Sequence, residues 1–148
     1  MRKLGLAVRW LLLVLLVAAP ALARAPGDDL RQFAREVGLR DIDNFVTTVT
    51  ALRQDGQLPD RYVTKDIAAR AGWKPGDDLC RTSPGKAMGG DRFGNRERRL
   101  PTASGRQWHE ADLDTNCGKR GAKRLLWSSD GLYYVTVDHY QTFRRVPK

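Results

Sequence analysis

The segment QWHEADL, residues 107 to 113, has the alternation that is typical of a β-strand with one buried face. Ala111 and Leu113 point to one side of such a strand, and Trp108, Glu110 and Asp112 point to the other. The aliphatic side suits a protein core, which leaves Glu110 on the open face of the sheet. The segment therefore predicts a strand that presents a carboxylate to solvent.

Similar segments surround this strand in the second half of the chain. Clusters of Gly, Pro, Ser or Asp separate them, as expected for consecutive strands joined by turns. The five strand candidates cover residues 86–92, 107–113, 123–128, 132–137 and 142–146.

The first half of the chain carries helical periodicity instead. Residues 26–40 have apolar side chains at helical spacing, which indicates a short amphipathic helix or a loosely held leader. Asn44 can cap a second helix that ends at Gly56, and Thr64 opens a third that ends at Gly72. Helices followed by a strand meander predict an α+β fold, in which N-terminal helices pack on one face of a C-terminal antiparallel sheet of about five strands.

Residues 1–25 have the pattern of a secretory signal peptide. Basic residues precede an apolar run over 10–19, and two small-x-small sites follow and end at Ala25. A membrane anchor is the alternative, but the apolar run is shorter than the roughly 20 residues that a spanning helix needs. Cleavage after Ala25 leaves 123 of the 148 residues, enough for one domain. We therefore expect a secreted protein, extracellular or periplasmic, whose main domain covers 41–148.

The exported part is basic and contains a single pair of cysteines. Without the four basic residues of the signal, 22 Lys and Arg stand against 17 Asp and Glu, a net charge of +5. Such an excess favours polyanionic partners, although charge can also serve solubility alone. Cys80 and Cys117 are predicted to form a disulfide, as an even pair in an oxidising compartment usually does. Two cysteines without a nearby histidine make a poor zinc site, so no metal is expected.

One acid–base pair is prominent in this basic sheet. The chain has neither a phosphate-binding loop nor a serine-nucleophile motif, and its candidate proton-transfer groups are Glu110 and His139. His139 lies in TVDHYQTF, residues 136 to 143, which reads as strand, turn and strand. Aromatic side chains near clusters of Lys and Arg suggest a phosphate groove with stacking platforms, the aromatics being Phe93, Trp108 and Tyr140.

Several blocks together resemble barnase and the related guanyl-preferring secreted bacterial ribonucleases. They are LPDRYVTK (58 to 65), PGKAMGGDRFGNRE (84 to 97), LPTASGRQWHEADL (100 to 113), WSSDG (127 to 131) and DHYQTF (138 to 143). The blocks stand in the family order, and the similarity runs from about Asp41 to Val146. The chain is therefore identified as a member of this family.

The resemblance implies roles for the basic and acidic residues. Glu110 would be the general base that takes the proton from the ribose 2′-hydroxyl, and His139 the general acid that protonates the departing 5′-oxygen. The family's cations around the scissile phosphate are matched by Lys65, Arg120 and Arg124. The acids that brace the arginines are matched by Asp91 and Asp112, which the resemblance makes supporting residues.

The resemblance also implies guanine selection. Asn95, Arg96 and Glu97 match the family's base-recognition loop, in which backbone N–H groups face O6 and the Glu97 carboxylate accepts from N1 and N2. Tyr140 matches the residue that borders the bound nucleotide, and Phe93 lies beside the loop. Gly94 departs from the serine of most relatives, and the two cysteines are not part of the family pattern.

The function that follows is an exported, metal-independent endoribonuclease that cleaves single-stranded RNA on the 3′ side of guanosine, without a cofactor. Two alternatives remain open, a non-catalytic basic RNA-binding protein and the same nuclease acting as an antibacterial toxin. The expected partners are single-stranded RNA and an acidic intracellular inhibitor of the barstar type. The mature protein is expected to be a monomer with no membrane association.

Overall fold

The computed structural model describes residues 25–148, so all of the predicted signal segment except Ala25 lies outside the described residues. The described part contains three α-helices, a 3-10 turn over Leu79–Arg81 and six strands. The helices are α1 (Asp28–Glu36), α2 (Ile42–Asp55) and α3 (Lys65–Arg70). The strands are β1 (Tyr62–Val63), β2 (Ala87–Phe93), β3 (Trp108–Asp112), β4 (Arg124–Ser128), β5 (Tyr133–Thr136) and β6 (Arg144–Arg145).

The strands form one sheet in the order β1-β2-β3-β4-β5-β6. β1 runs parallel to β2, and every other neighbouring pair is antiparallel. The α+β fold class is confirmed, with six strands in place of about five. The additional strand, β1, has two residues, which is too short for an alternating pattern to reveal it.

The helix boundaries agree with the predictions except at one cap. Gly56 ends α2 in a left-handed conformation (φ 70°), and the Thr64 side chain caps α3. The cap of α2 is Asp41 and not Asn44, because the Asp41 carboxylate accepts from the backbone N–H of Asn44 at 3.2 Å. Asn44 already lies within the first turn of the helix. No helix within residues 25–148 is long and apolar enough to cross a bilayer.

The main core lies between the first two helices and one face of the sheet. Leu30, Phe33 and Ala34 of α1 are buried, and α1 packs directly on α2. Because its apolar face is covered in this way, α1 is part of the folded domain. From α2, the buried set includes Phe45, Val49 and Leu52. The sheet and the residues next to its strands contribute Leu113, Leu125, Val135 and Val146.

The opposite face of the sheet differs from the expected open surface. Trp108 is 4% exposed, Glu110 5% and Asp112 1%. The alternation along β3 is present, but residues from the loops after β2 and β5 pack over this face. A second cluster forms there around Leu100, Trp108 and Leu126, with Phe93, Tyr140 and Phe143 packed against it. Glu110 is therefore covered, with the Tyr140 hydroxyl donating to its carboxylate, and does not lie on an open surface.

Candidate active site

Glu110 is a buried carboxylate that contacts Tyr140, one of the residues that line a cleft beside the loop after β2. It lies on β3, where β2 and β4 flank it through Asp91 and Leu126. The Lys65 ammonium donates to Oε1 at 3.0 Å, and the Tyr140 hydroxyl donates to Oε2. The first residue of α3 and the loop after β5 therefore meet at one carboxylate in the middle of the sheet.

The neighbours of Glu110 decide its charge state. Burial by itself raises the pKa of the carboxyl, but the hydrogen bonds from Tyr140 and Lys65 and the charges of Lys65 and Arg120 outweigh burial. The net result is a Glu110 pKa below its ordinary value. The group is therefore ionised at neutral pH and can accept a proton from a ligand in the cleft.

Asp112 holds the two arginines beside this carboxylate. Arg120 donates to it in a bidentate manner, from Nη2 at 2.6 Å and from Nε at 2.9 Å, and Arg124 Nε lies 3.0 Å from the same carboxylate. Arg120 Nη2 also lies 3.7 Å from Glu110. Although burial opposes its charge, the Asp112 carboxylate raises the pKa of Arg120. Both guanidinium groups are thus fixed in place before any ligand binds.

Arg124 is nearly inaccessible, with 2% of the residue exposed. Its Nη1 donates to the carbonyl oxygens of Gly121 at 2.7 Å and Lys123 at 2.8 Å, within the loop before β4. Asp91 lies on the other side of Glu110, and its carboxylate accepts from the backbone N–H of Lys65 at 3.0 Å. Asp91 therefore braces the lysine through the main chain, whereas the sequence suggested that it would brace an arginine.

His139 is displayed on a strained turn after β5. The backbone lies in the left-handed region at His139 (φ 54°) and at Tyr140 (φ 69°), which is costly for side chains of this size. The Asp138 carboxylate holds the turn by accepting from the N–H and hydroxyl of Thr142. These bonds lower the pKa of Asp138 to about 2. The His139 side chain is exposed at the mouth of the cleft.

Tyr140 joins the two halves of the cleft. Its ring stacks on Phe93 with centroids 5.0 Å apart, and it lies 4.9 Å from the ring of His139. Burial and the hydrogen bond to Glu110 raise the pKa of Tyr140 to about 12, so its hydroxyl stays protonated and donates. The cleft extends from these aromatic side chains along the loop after β2 and has a volume of about 940 Å³.

The loop from Gly94 to Leu100 forms the far wall of this cleft. The Asn95 side chain bonds within the loop, because its amide donates to the Leu100 carbonyl at 2.9 Å and its oxygen accepts from the Leu100 N–H at 3.0 Å. The Glu97 carboxylate is 73% exposed and is directed away from the core. Of the residues expected to bind a base, Asn95 thus shapes the loop, while Arg96 and Glu97 remain accessible.

The loop also shows the consequence of Gly94. Its φ lies outside the left-handed region, and a Cβ at this position would meet only Arg96, at 3.5 Å. The backbone therefore does not require glycine here, and a serine would fit.

Two further sequence predictions concern the cysteine pair and His109. Cys80 of the 3-10 turn and Cys117 form the predicted disulfide. Next to it, the Gly118 carbonyl accepts from the Leu79 N–H at 2.9 Å, so the loop that carries Arg120 is tied to the 3-10 turn. His109 faces away from Glu110, stacks on Trp127 at 5.7 Å and approaches the Gly90 carbonyl at 3.3 Å.

One residue in the cleft makes contacts that the sequence did not predict. Arg99 connects the loop after β2 to the turn after β5, whereas Arg96 and Arg98 make no ion pair within residues 25–148. These arginines are indistinguishable in sequence, and their surroundings alone separate them. Within the same residues, no three His, Cys, Asp or Glu side chains cluster as metal ligands would.

Comparison with known proteins identifies ribonucleases as relatives of this chain. The ribonuclease family model matches residues 46–147. A ribonuclease of Heyndrickxia coagulans is 53% identical over 106 residues, which cover 71% of this chain and 97% of that protein. A ribonuclease of Bacillus intermedius has the same identity over 106 residues, which cover 65% of its length. The guanyl-specific ribonuclease St of Saccharopolyspora erythraea is 42% identical over 53 residues, 35% of this chain and 52% of that protein.

The matched region contains Lys65, Glu110, Arg120, Arg124 and His139, and it begins after α1. The family match covers more than half of the chain, and the ribonuclease of Heyndrickxia coagulans aligns with it over nearly its whole length. The chain therefore belongs to the ribonuclease family.

Proposed function

We propose that this ribonuclease is an endonuclease that cleaves single-stranded RNA on the 3′ side of guanosine. The observation that carries the proposal is the ionised Glu110 carboxylate, which accepts from the hydroxyl of Tyr140 beside the cleft where His139 is exposed. A general base must be unprotonated, and a general acid must reach a leaving group on the other side of the reacting phosphorus. Glu110 lies on β3 and His139 on the turn after β5, and Tyr140 contacts both side chains.

The first step is a transphosphorylation. Glu110 takes the proton of the ribose 2′-hydroxyl, and the 2′-oxygen forms a bond to phosphorus. The bond from phosphorus to the 5′-oxygen of the next nucleotide breaks, and His139 in its protonated form gives its proton to that oxygen. The products are a 2′,3′-cyclic phosphate and a free 5′-hydroxyl, and each proton-transfer group contributes about 10²- to 10⁴-fold.

The cations around Glu110 stabilise the charge that develops on the phosphoryl oxygens. Lys65 and Arg120 lie within 4 Å of the Glu110 carboxylate, so a phosphate that reaches the base also reaches them. Because Asp112 holds Arg120 in place, its guanidinium does not have to reorganise during the reaction. Loss of one preorganised donor of this type raises the barrier by about 3 kcal/mol.

The second step hydrolyses the cyclic phosphate with the roles exchanged. His139 now lacks its proton and accepts one from water, whose oxygen attacks phosphorus. The bond from phosphorus to the 2′-oxygen breaks, and Glu110 returns the proton that it took in the first step. The product is a 3′-phosphate, and both groups regain their starting protonation states.

Base selection is assigned to the loop after β2. Glu97 offers an exposed carboxylate, and guanine offers two adjacent N–H donors beside an acceptor. Adenine places a lone pair where guanine has its N1 proton, so two acceptors would face each other without a proton between them. The stacked pair Phe93 and Tyr140 supplies an aromatic border for the nucleotide.

The pH dependence of kcat/KM follows from the two groups. Activity needs Glu110 ionised and His139 protonated, so the profile is bell-shaped. Since its surroundings lower the pKa of Glu110, the acidic limb of the profile is displaced below the ordinary pKa of a glutamate. Lys65→Met removes one of the groups that stabilise the ionised form, so it moves this limb to higher pH. A limb that does not move would contradict Glu110 as the base.

Substrates with different leaving groups test the assignment of acid and base. His139→Ala should lose about 10³-fold or more on a GpN dinucleotide and recover most of its rate on a guanosine 3′-ester with a good leaving group, which needs no proton. Glu110→Gln should lose activity on both substrates, because the 2′-hydroxyl must be activated in each case. Equal losses for His139→Ala on the two substrates would reject the assignment.

Metal independence is tested by digesting RNA in the presence of EDTA. Full activity of the wild type under these conditions supports the proposal, and dependence on added Mg²⁺ rejects it. The same assay separates the enzyme from a non-catalytic RNA-binding protein, which would retain RNA without shortening it. Single-stranded DNA should remain uncut, because it lacks the 2′-hydroxyl nucleophile.

Export and partners complete the proposal. The Cys80–Cys117 disulfide supports an oxidising compartment, in keeping with residues 1–25 acting as a secretory signal. N-terminal sequencing of the protein from culture medium tests the cleavage after Ala25. We also expect a monomer by size exclusion and an acidic intracellular inhibitor that covers the cleft. Failure to capture an acidic protein from the producing cell with a His139→Ala bait would argue against the inhibitor.

A further inference from the structure

Arg99 connects the two loops that border the cleft. Its Nε lies 2.8 Å from Glu97 Oε2 in the loop after β2. Its Nη1 donates to the carbonyl oxygens of Tyr140 at 3.2 Å and Gln141 at 3.0 Å in the turn after β5. One guanidinium group therefore bonds both to the carboxylate expected to read the base and to the turn that presents His139.

Glu97 depends on this contact for its orientation. Its side chain is 73% exposed, and Arg99 is its only hydrogen-bond or ion-pair partner within residues 25–148. An exposed glutamate samples many rotamers and loses that freedom when it binds a ligand. The ion pair with Arg99 restricts the rotamers beforehand, so less entropy remains to be lost when a base arrives.

The contact with Arg99 is compatible with a bound guanine. Each carboxylate oxygen has two acceptor positions, so Oε2 can keep its bond to Arg99 and still accept from a base N–H. Oε1 of Glu97 remains open for the second donor. The guanidinium thus orients the carboxylate without occupying the positions that the base requires.

The other end of Arg99 supports the turn of the general acid. His139 and Tyr140 both have left-handed backbone conformations, which persist only where surrounding contacts hold them. Asp138 holds the turn from inside through Gln141 and Thr142. Arg99 adds bonds from the opposite side of the cleft, to the two carbonyl groups that follow His139.

We propose that Arg99 is a positioning residue that sets base selectivity and couples the base-binding loop to the turn of His139. The inference rests on the proposed function, since it assigns Glu97 to guanine and His139 to the leaving group. It predicts that one side chain, which contacts neither phosphorus nor the 2′-hydroxyl, controls the discrimination between guanosine and adenosine.

The test compares Arg99→Ala, Arg99→Lys and the control Arg70→Ala. Arg70 forms an exposed ion pair with Asp66 on α3, so the control removes the same charge and the same kind of pair away from the cleft. The measured quantity is kcat/KM for GpN divided by kcat/KM for ApN. We expect this ratio to fall about tenfold in Arg99→Ala, to recover in part in Arg99→Lys, and to stay unchanged in Arg70→Ala.

A second measurement examines the link to His139. If Arg99 also positions the turn, Arg99→Ala should lose about threefold more on GpN than on the guanosine ester with a good leaving group, and Arg70→Ala should lose equally little on both. A purely structural role would leave both ratios unchanged and lower the unfolding midpoint instead.

The outcomes separate this inference from the proposed function. A wild type without preference for GpN over ApN would overturn the guanine assignment and the inference with it. A wild type that prefers GpN, together with an Arg99→Ala variant that keeps the full preference, would overturn the inference alone. An equal fall of kcat/KM on every substrate would also overturn it, because Arg99 would then act only as a general cation.

Discussion

The two walls of the proposed active site are built in different ways. The wall around Glu110, which is proposed to meet the phosphate, consists of buried charges that pair with each other, with Asp112 1% exposed and Arg124 2% exposed. The wall that is proposed to meet the base is an exposed loop, held by the side chains of Asn95 and Arg99. Buried ion pairs fix positions firmly but make the fold depend on them, whereas an exposed loop can change without loss of stability. Substitutions in the first wall should therefore change activity and the unfolding free energy together. Substitutions in the second wall should change activity without changing the unfolding free energy.

The largest effect is expected for Asp112→Asn. The substitution leaves Arg120 and Arg124 buried next to a neutral amide, and loss of one partner from a buried ionic network costs about 3–5 kcal/mol of unfolding free energy. Urea denaturation measures this loss. The matched control is Asp130→Asn, which breaks a pair with Arg106 in which the carboxylate is 48% exposed, and which should cost much less. Similar losses for both variants would contradict the contrast between the walls.

Removal of the disulfide tests the same wall, because the disulfide is next to the loop that carries Arg120. Replacing Cys80 and Cys117 by serine opens a covalent loop of about 38 residues, which contributes roughly 4 kcal/mol in the chain-entropy model. Because the loop before β4 carries Arg120, kcat should fall as well. The ratio of kcat/KM for GpN to that for ApN should remain that of the wild type, because the base loop lies on the other wall. A change in this ratio would show that the walls are not independent.

The sequence predicts the phosphate wall better than the base wall for a physical reason. Periodicity along β3 places Glu110 and Asp112 on one face, and this placement is confirmed. Their burial was not foreseen, because it arises from loops that fold over the sheet and not from the strand itself. Arg99 was not singled out because its role depends on carbonyl groups about 40 residues further along the chain. Local patterns carry no information about such contacts.

Glu97→Gln tests the base wall directly. The amide keeps the size of the side chain but replaces one acceptor by a donor, which would face the guanine N–H groups. We expect the preference for GpN over ApN to fall by about 2 kcal/mol, roughly thirtyfold. The unfolding free energy should stay within the error of the wild type, since the side chain is 73% exposed. A destabilised Glu97→Gln variant would mean that the base loop contributes to the fold after all.

The smallest effect is expected for the cleft arginines that have no acidic partner. Arg92 and Arg98 line the cleft, are exposed and form no ion pair within residues 25–148. Such guanidinium groups are free to neutralise phosphates of a polymeric RNA beyond the cleaved bond, and each contact releases a counterion.

Arg98→Ala should therefore raise KM for polymeric RNA severalfold and leave kcat unchanged. The dependence of log KM on log salt concentration should become shallower by about 0.7, the value for one phosphate contact on a single strand. Arg35→Ala is the control, because Arg35 is exposed on α1 outside the cleft and carries the same charge. Equal changes in the two variants would show that net charge alone steers RNA, and a change in kcat would place Arg98 in the chemistry and not in the outer part of the binding surface.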